Sequence, residues 1–161
     1  MPVAFRCFDG GQECPSCLAV SVTGRGARPT NPLRPLLAIP TTAGTGSESQ
    51  SYCVISDAET HMKMACGDPS AMFRAVILDP DLTTSVPKSV RAPAGIDAAA
   101  HVIETWVSTK ANEASRELTI LAWQRIKNAL LPSIESADDE DVREAMLMGA
   151  HYAGAAIEAS M

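Results

Sequence analysis

The pattern of apolar and polar residues changes near the middle of the chain, from short apolar runs to long amphipathic stretches. Before Pro87, three short apolar runs between prolines and polar turns predict strands at residues 36–39, 52–56 and 75–78. After Pro87, apolar residues recur every three or four positions, which predicts helices at 95–108, 113–131 and from 138 or 139 onward. Pro132 is expected to end the second helix. The chain is therefore expected to combine an α/β part with an all-α part.

The first 31 residues show neither a helical nor a strand period over a useful length, so an irregular segment is expected there. Cys14 and Cys17 have the spacing of a zinc knuckle or a redox pair. No second pair of cysteines or histidines accompanies them, and chance spacing is the favoured interpretation. The odd total of five cysteines favours reduced thiols.

Composition narrows the class of protein further. A chain of 161 residues that is 46% hydrophobic can bury one core but is short for a two-domain enzyme. The net charge of -6, with an acidic stretch at 138–141, argues against binding to nucleic acid or to an anionic membrane surface. No apolar stretch approaches the ~20 residues that span a bilayer, and no signal pattern opens the chain. A soluble cytoplasmic protein is expected.

The most informative pair of polar residues is Asp97 and His101, which stand four apart in the first predicted helix. Residues at this spacing lie one above the other on one helix face. Carboxylate and imidazole together suit Fe²⁺ or Zn²⁺, although such ions normally take three or four protein ligands. An ordinary surface pair is the alternative. The apolar neighbours Ile96, Val102 and Ile103 favour a buried pair.

Two other residues could contribute to such a site. Glu104 could accept a hydrogen bond that orients the imidazole of His101, or it could be a plain surface charge. His151 on the third helix could complete a ligand set, but its spacing from His101 forms no ligand pattern, and a polar helix face is favoured.

Residues 41–48, with the sequence TTAGTGSE, follow the first predicted strand and predict a loop rich in hydroxyl groups and glycine. They lack the G-x-G-x-x-G fingerprint, and Gly-Thr-Gly alone usually marks a turn. Hydroxyl donors and accessible amides beside the end of a strand can nevertheless hold ribose and phosphate groups. Lys63 could add a positive charge, although an isolated lysine is most often solvated.

Three segments in this order resemble the iron-containing (group III) alcohol dehydrogenases. They are Ile39-Pro40-Thr41-Thr42-Ala43-Gly44-Thr45-Gly46-Ser47-Glu48, then Leu78-Asp79-Pro80-Asp81-Leu82-Thr83, then Gly95-Ile96-Asp97-Ala98-Ala99-Ala100-His101. The resemblance covers about residues 35–161, and none is found in residues 1–31. It implies that residues 32–86 are the last strands of a Rossmann-like cofactor domain. Residues 87–161 would then be the first helices of a truncated, α-helical metal-binding domain.

The resemblance also implies roles for individual residues. Contacts to NAD or NADP are expected from three hydroxyl groups and one amine, those of Thr41, Thr42, Thr45 and Lys63. Asp97 and His101 match the first two ligands of a divalent ion, Fe²⁺ or Zn²⁺. The implied reaction is reversible hydride transfer between a small alcohol or aldehyde and the nicotinamide ring, with the ion as Lewis acid.

Two departures from the family pattern suggest an incomplete enzyme. The glycine-rich pyrophosphate loop expected upstream of Pro40 is absent, and two later ligand histidines are expected beyond Met161. We therefore expect a fragment with little or no activity alone, from a family whose full-length members are expected to form homo-oligomers. One alternative is the related glycerol dehydrogenase or dehydroquinate synthase group, although the TTAGTGSE block favours the alcohol dehydrogenases. Another is a catalytically dead remnant that acts only in subunit association.

Overall fold

The computed structural model describes residues 8–9, 12–13, 35–56, 61 and 63–160. The chain divides into two compact units, residues 1–36 with 51–72 and residues 37–50 with 73–161. We call the second the helical unit. The units do not follow the order of the chain, and the predicted domain boundaries after residues 31 and 86 stay a prediction. Cys14 and Cys17 lie outside the described residues.

The described residues contain six short strands: β1 (Phe8–Asp9), β2 (Gln12–Glu13), β3 (Leu37–Ala38), β4 (Tyr52–Ser56), β5 (Lys63–Gly67) and β6 (Ala75–Val76). In the first unit, β1 pairs antiparallel with β2, and β4 pairs antiparallel with β5. In the helical unit, β3 and β6 form a parallel pair that joins Leu37 to Ala75 and Ala38 to Val76. The small parallel sheet and the dominant helices confirm the predicted fold class.

The strand predictions hold for β3, β4 and β6, and β4 has the predicted limits. The pattern missed β5, because a five-residue run that opens with a lysine and ends with a glycine has no clear alternation of apolar and polar positions. The β1–β2 pair was missed as well, since it lies in the segment expected to be irregular.

Three helices form the helical unit: α1 (Lys88–Val107), α2 (Glu113–Glu135) and α3 (Glu140–Ser160). The start of α1 at Lys88 precedes the predicted start at Gly95, because Pro93 is tolerated inside the helix. The prediction that Pro132 ends α2 is wrong. Proline lacks a backbone N–H but keeps its carbonyl, and the Pro132 oxygen accepts a 2.9 Å hydrogen bond from the Ser136 amide.

Side-chain caps define the starts of α2 and α3. The Asn112 side chain accepts a hydrogen bond from the Ser115 amide, and the Ser115 hydroxyl accepts one from the Asn112 amide, which makes a capping box. At α3, Asp139 Oδ1 accepts a 3.2 Å bond from the Val142 amide. The predicted acidic start of the third helix is thereby confirmed.

The core lies where the three helices meet and consists mostly of small or slender side chains: Ala98, Val102, Ala122, Ile126, Ala129, Met146, Ala150 and Ala153. The helices approach closely, and a Cβ atom at Gly149 would lie 2.5 Å from Ile126 Cγ1. Apolar character alone does not mark the buried face of α2. Leu121 is 44% exposed, and the buried positions are Ser115, Thr119, Ala122, Ile126, Ala129 and Ser133.

Buried hydroxyl groups on α1 and α2 are paired. Thr105 Oγ1 lies 2.9 Å from Thr119 Oγ1, and Thr119 also donates to the Ser115 carbonyl at 2.7 Å. Hydrogen bonding of this kind removes most of the penalty of burying a hydroxyl.

Among the helices that the structure describes, none is long and apolar enough to cross a membrane.

Candidate metal and cofactor site

The threonine loop, residues 41–48, packs against α1 through a glycine. Gly44 is buried, and a Cβ atom there would lie 2.8 Å from the Cβ of Ala94. Only a residue without a side chain fits this approach. Ala94 stands three residues before Asp97, which corresponds to about 4.5 Å along the helix axis. The loop therefore touches α1 within one turn of the predicted metal pair.

A second glycine contact fixes the same loop to α3. Gly46 has a left-handed backbone with φ 59°, and a Cβ atom there would lie 2.6 Å from the Ala150 oxygen. On the helix side, a Cβ atom at Gly154 would clash with the backbone oxygen of Gly46. The glycines of this segment thus serve the packing of the loop on two helices. From the sequence, these glycines were expected only to form a turn or to leave backbone amides accessible.

The three threonines of the loop differ in exposure. Thr41 and Thr45 are exposed, and Thr42 is half-buried. Thr45 Oγ1 accepts hydrogen bonds from the Ser47 hydroxyl at 2.7 Å and from the Ser47 amide at 3.3 Å. Lys63 begins β5 in the other compact unit, and its side chain lies outside the described part. The expected cofactor contacts of these four residues stay a prediction.

Asp97 and His101 lie on one face of α1, with 3.8 Å between Asp97 Oδ1 and His101 Nε2. This distance is too long for a hydrogen bond. It is near the roughly 3.4 Å that separates two donor atoms held about 2.1 Å from one tetrahedral ion. The Asp97 side chain is 45% exposed and that of His101 is 16% exposed. The pair thus has free donor atoms, one of them open to solvent.

The donor set fits half of a metal site. His101 Nε2, the ring nitrogen near Asp97, is the donor that an ion would meet, whereas Nδ1 is buried and lacks the hydrogen-bond partner that usually orients a ligand imidazole. No cluster of three or more histidine, cysteine, aspartate or glutamate residues that could hold an ion occurs in the described ranges. Asp97 and His101 therefore suit two coordination positions on a transition-metal ion, which needs further ligands or water to complete its shell.

The surroundings of the pair differ from those expected. Val102 is buried, but Ile96 is 55% exposed and Ile103 is 62% exposed. The expectation that these apolar neighbours bury the pair is therefore wrong for the two isoleucines, which point away from the helix core. Glu104 is exposed and is not a partner of the unsatisfied His101 Nδ1, so its alternative role as a surface charge fits better.

His151 is not placed as a further metal ligand. Its side chain instead joins α3 to the threonine loop. Its Nδ1 is 2.8 Å from Ser49 Oγ and 3.2 Å from Glu48 Oε1. One assignment satisfies all three groups: Nδ1–H donates to Glu48 and Ser49, while the Ser49 hydroxyl donates to the His151 carbonyl at 3.1 Å. Because serine and carboxylate meet the same ring nitrogen, this is not the arrangement that activates a nucleophilic serine.

Sequence reasoning missed this cluster because Glu48 and His151 are 103 positions apart. The prediction of His151 as part of a polar helix face was also incomplete, since its side chain is only 24% exposed. Nothing in the local pattern around either residue marks the partnership. Only the structure shows that Glu48 needs a partner, because a carboxylate buried to 8% exposure must be paired.

The substitution His151→Ala should destabilise the chain by about 1–3 kcal/mol, because Glu48 would remain buried without this hydrogen-bond donor. Ser49 would keep the carbonyl of residue 151 as its acceptor. Urea denaturation of both chains measures the difference. The exposed His61 supplies the control, and His61→Asn should leave the midpoint nearly unchanged. Equal midpoints for His151→Ala and the parent chain would contradict the prediction.

Two sequence models of one family match most of the chain. Residues 12–80 match the iron-containing alcohol dehydrogenase model. Residues 91–161 match the C-terminal model of the Fe-containing alcohol dehydrogenase family. The first match begins at residue 12, so it reaches into the segment where the motifs alone had shown no likeness.

Individual proteins give the same result. The chain is 34% identical over 157 residues to lactaldehyde reductase of Escherichia coli, with 90% of this chain and 41% of that protein covered. It is 35% identical over 125 residues to the NAD-dependent methanol dehydrogenase of Bacillus methanolicus, with 78% and 33% covered. The solved alcohol dehydrogenase from Oenococcus oeni superposes with a TM-score of 0.76 at 32% identity, with 81% and 34% covered.

The chain thus spans between one third and about two fifths of the length of these proteins. The threonine loop lies within the first matched range, and the Asp97–His101 pair lies within the second. The chain belongs to the iron-containing alcohol dehydrogenase family.

Proposed function

We propose that this chain carries part of the active site of a metal-dependent, NAD(P)-linked alcohol dehydrogenase that acts on a small alcohol or aldehyde. One observation supports it above the others: the threonine loop and the Asp97–His101 pair are attached to the same helix, α1, within one turn of each other. Groups for a cofactor and for an ion on one rigid element can hold two reactants at a fixed separation.

The substrate class and the cofactor are drawn from the relatives. Two of them are a lactaldehyde reductase and an NAD-dependent methanol dehydrogenase, whose names give small alcohols or aldehydes as substrates. We propose NAD or NADP for this chain, and Fe²⁺ or Zn²⁺ as the ion. The matched models of the alcohol dehydrogenase family favour this group over the glycerol dehydrogenase alternative.

The roles of the residues follow from their chemistry. Asp97 would supply a carboxylate oxygen and His101 its Nε2 nitrogen to the ion, which when bound polarises the alcohol oxygen as a Lewis acid. The exposed hydroxyls of Thr41 and Thr45 would donate to phosphate oxygens of the cofactor, and would donate to or accept from its ribose hydroxyls. Gly44 and Gly46 keep the loop against α1 and α3, so these hydroxyls hold their position relative to Asp97.

A binding experiment on the purified chain tests the proposal. Zn²⁺ and NAD⁺ are titrated separately by calorimetry, and oxidation of 1-propanol is followed by NADH absorbance. We expect weak Zn²⁺ binding, weak NAD⁺ binding and little or no turnover, because two protein ligands hold an ion less firmly than three or four and the glycine-rich pyrophosphate loop is absent. The substitution Thr45→Val should weaken the binding of NAD⁺ and leave the binding of Zn²⁺ unchanged.

Absence of binding for both Zn²⁺ and NAD⁺ would contradict the proposal and favour a chain that has lost the enzymatic role. Tight, stoichiometric binding of the metal together with full turnover would contradict only the expectation that this chain is incomplete. Homo-oligomer formation by the longer enzyme stays a prediction.

A further inference from the structure

A small cavity of about 30 Å³ lies inside the helical unit, at the ends of α1, α2 and α3 that are remote from the Thr105–Thr119 pair. Its polar lining consists of two guanidinium groups and four hydroxyl groups, from Thr42, Thr83, Arg91, Ser133, Ser136 and Arg143. Asp97, His101 and His151 are not among the residues that line it. The cavity is therefore separate from the candidate metal pair.

Arg143 is fixed on one side of the cavity by three hydrogen bonds. Its Nε donates to the Pro80 carbonyl at 3.2 Å, its Nη1 to the Ala137 carbonyl at 2.6 Å, and its Nη2 to Asp81 Oδ1 at 3.0 Å. The Arg143 side chain is only 10% exposed, whereas that of Asp81 is 76% exposed. Water screens the Asp81 charge, so it compensates only part of the buried positive charge.

Arg91 is less completely partnered. Its Nη1 donates to the Val86 carbonyl at 3.2 Å, but its Nε is buried and has no hydrogen-bond partner. Within the described residues, no carboxylate forms an ion pair with it. An unsatisfied buried donor on a charged group is costly in free energy and rare in native proteins. The Arg91 guanidinium therefore lacks an acceptor that carries negative charge.

Three of the four hydroxyl groups of the lining already have acceptors. Thr83 and Ser133 donate their protons to the carbonyls of Pro80 and Leu130, and Ser136 donates to Asp138 Oδ2, each at 2.7 Å. The Thr42 hydroxyl and the guanidinium N–H groups are then the donors left for a guest. The fork of an arginine matches the two oxygens of a carboxylate better than a single spherical ion.

Size narrows the choice of anion. Since each water-sized centre needs about 10–15 Å³, the cavity has room for roughly two or three such centres. A carboxylate group has three heavy atoms, whereas sulfate and phosphate have five. Ser136 is exposed and lines the cavity, so solvent reaches it on that side. We propose that this cavity binds a carboxylate group, held between Arg91 and Arg143.

Thermal unfolding of the full chain in sodium formate, compared with sodium chloride at equal ionic strength, tests this proposal. Formate that binds only the folded chain should raise the Tm with the logarithm of its concentration above its Kd, by about 3 °C at ten times its Kd. Chloride should give a smaller rise. Sulfate should act like chloride, because it does not fit.

Arg91→Met removes the charge and keeps a stem of similar length, so the excess of the Tm rise in formate over that in chloride should disappear. Without formate, this variant should be as stable as the parent chain or more stable, because the unsatisfied donor is gone. Arg91→Lys retains the charge but loses the fork, and we expect about tenfold weaker binding. Arg125→Met, at an exposed arginine of α2 outside the lining, should leave formate binding unchanged.

Four results would overturn the carboxylate site. Equal rises in formate and chloride would show a general salt effect on a cavity filled by water. Equal binding of sulfate would overturn the argument from size, and formate binding retained in both Arg91 variants would overturn the assignment. A chain without a cooperative thermal transition would overturn it as well, because the packing of three helices creates the cavity. None of these results depends on metal or NAD⁺ binding.

Discussion

His101→Ala should lower the affinity of the chain for Zn²⁺ by about 100-fold or more. Removing partners that only orient a ligand typically costs roughly 10–100-fold, and His101 would be a ligand itself. Asp97→Asn should have a comparable effect, because a neutral amide oxygen is a weaker donor to a divalent ion than a carboxylate. Calorimetric titration of Zn²⁺ into the three chains measures the affinities.

Glu104→Gln provides the matched control for this pair. Glu104 lies on α1 three residues beyond His101, is exposed and makes no hydrogen bond to His101 Nδ1, so it carries the same type of charge as Asp97 in a solvated position. Its substitution should change the Zn²⁺ affinity by less than about twofold, since exposed charges interact weakly through water. If Glu104→Gln reduced the affinity as much as His101→Ala, the binding would reflect general attraction to an acidic chain, and Asp97 and His101 would not be ligands.

Gly154→Ala is expected to have the largest effect on stability, with a loss of about 2–3 kcal/mol. The added methyl group would clash with the backbone of Gly46, which cannot turn aside as a flexible side chain could. Helix propensity acts in the opposite direction, because alanine is favoured over glycine by about 1 kcal/mol inside a helix. A net loss would therefore come from the contact with the loop. Urea denaturation measures it.

The reverse exchange at an exposed position of α3 is the control. Ala159→Gly introduces the less favourable helix former without a steric clash and should cost at most about 1 kcal/mol. If Gly154→Ala stabilised the chain, propensity would dominate and the loop would be free to move away. In that case the threonine loop would not be a fixed part of the helical unit.

The sequence predicted the types of the main elements and much less of their packing. Strand β4 and the starts of α2 and α3 could be found because their signals are local: an apolar run between turns, apolar residues that recur every three or four positions, and an acidic cap. The early start of α1 and the passage of α2 through Pro132 were not found. Tertiary contacts outweighed the local preference of proline in both helices.

The candidate site was predictable to a similar extent. The spacing of Asp97 and His101 fixed their common helix face, and the 3.8 Å distance follows from it. The partnership of His151 with Glu48 was not predictable, because it joins residues 103 positions apart and only the packing of α3 on the threonine loop brings them together. The charge left uncompensated at Arg91 is also a property of the folded chain alone.

The attachment of the threonine loop to α1 and α3 has a consequence for recombining this chain with its longer relatives. A crossover placed at residue 86, where strands give way to helices, would separate Gly44 and Gly46 from Ala94 and Gly154, against which they pack. The segments from this chain and from the relative would then fit at both interfaces only by chance. Exchanging residues 37–50 together with 73–160 would transplant the fitted surfaces as a set.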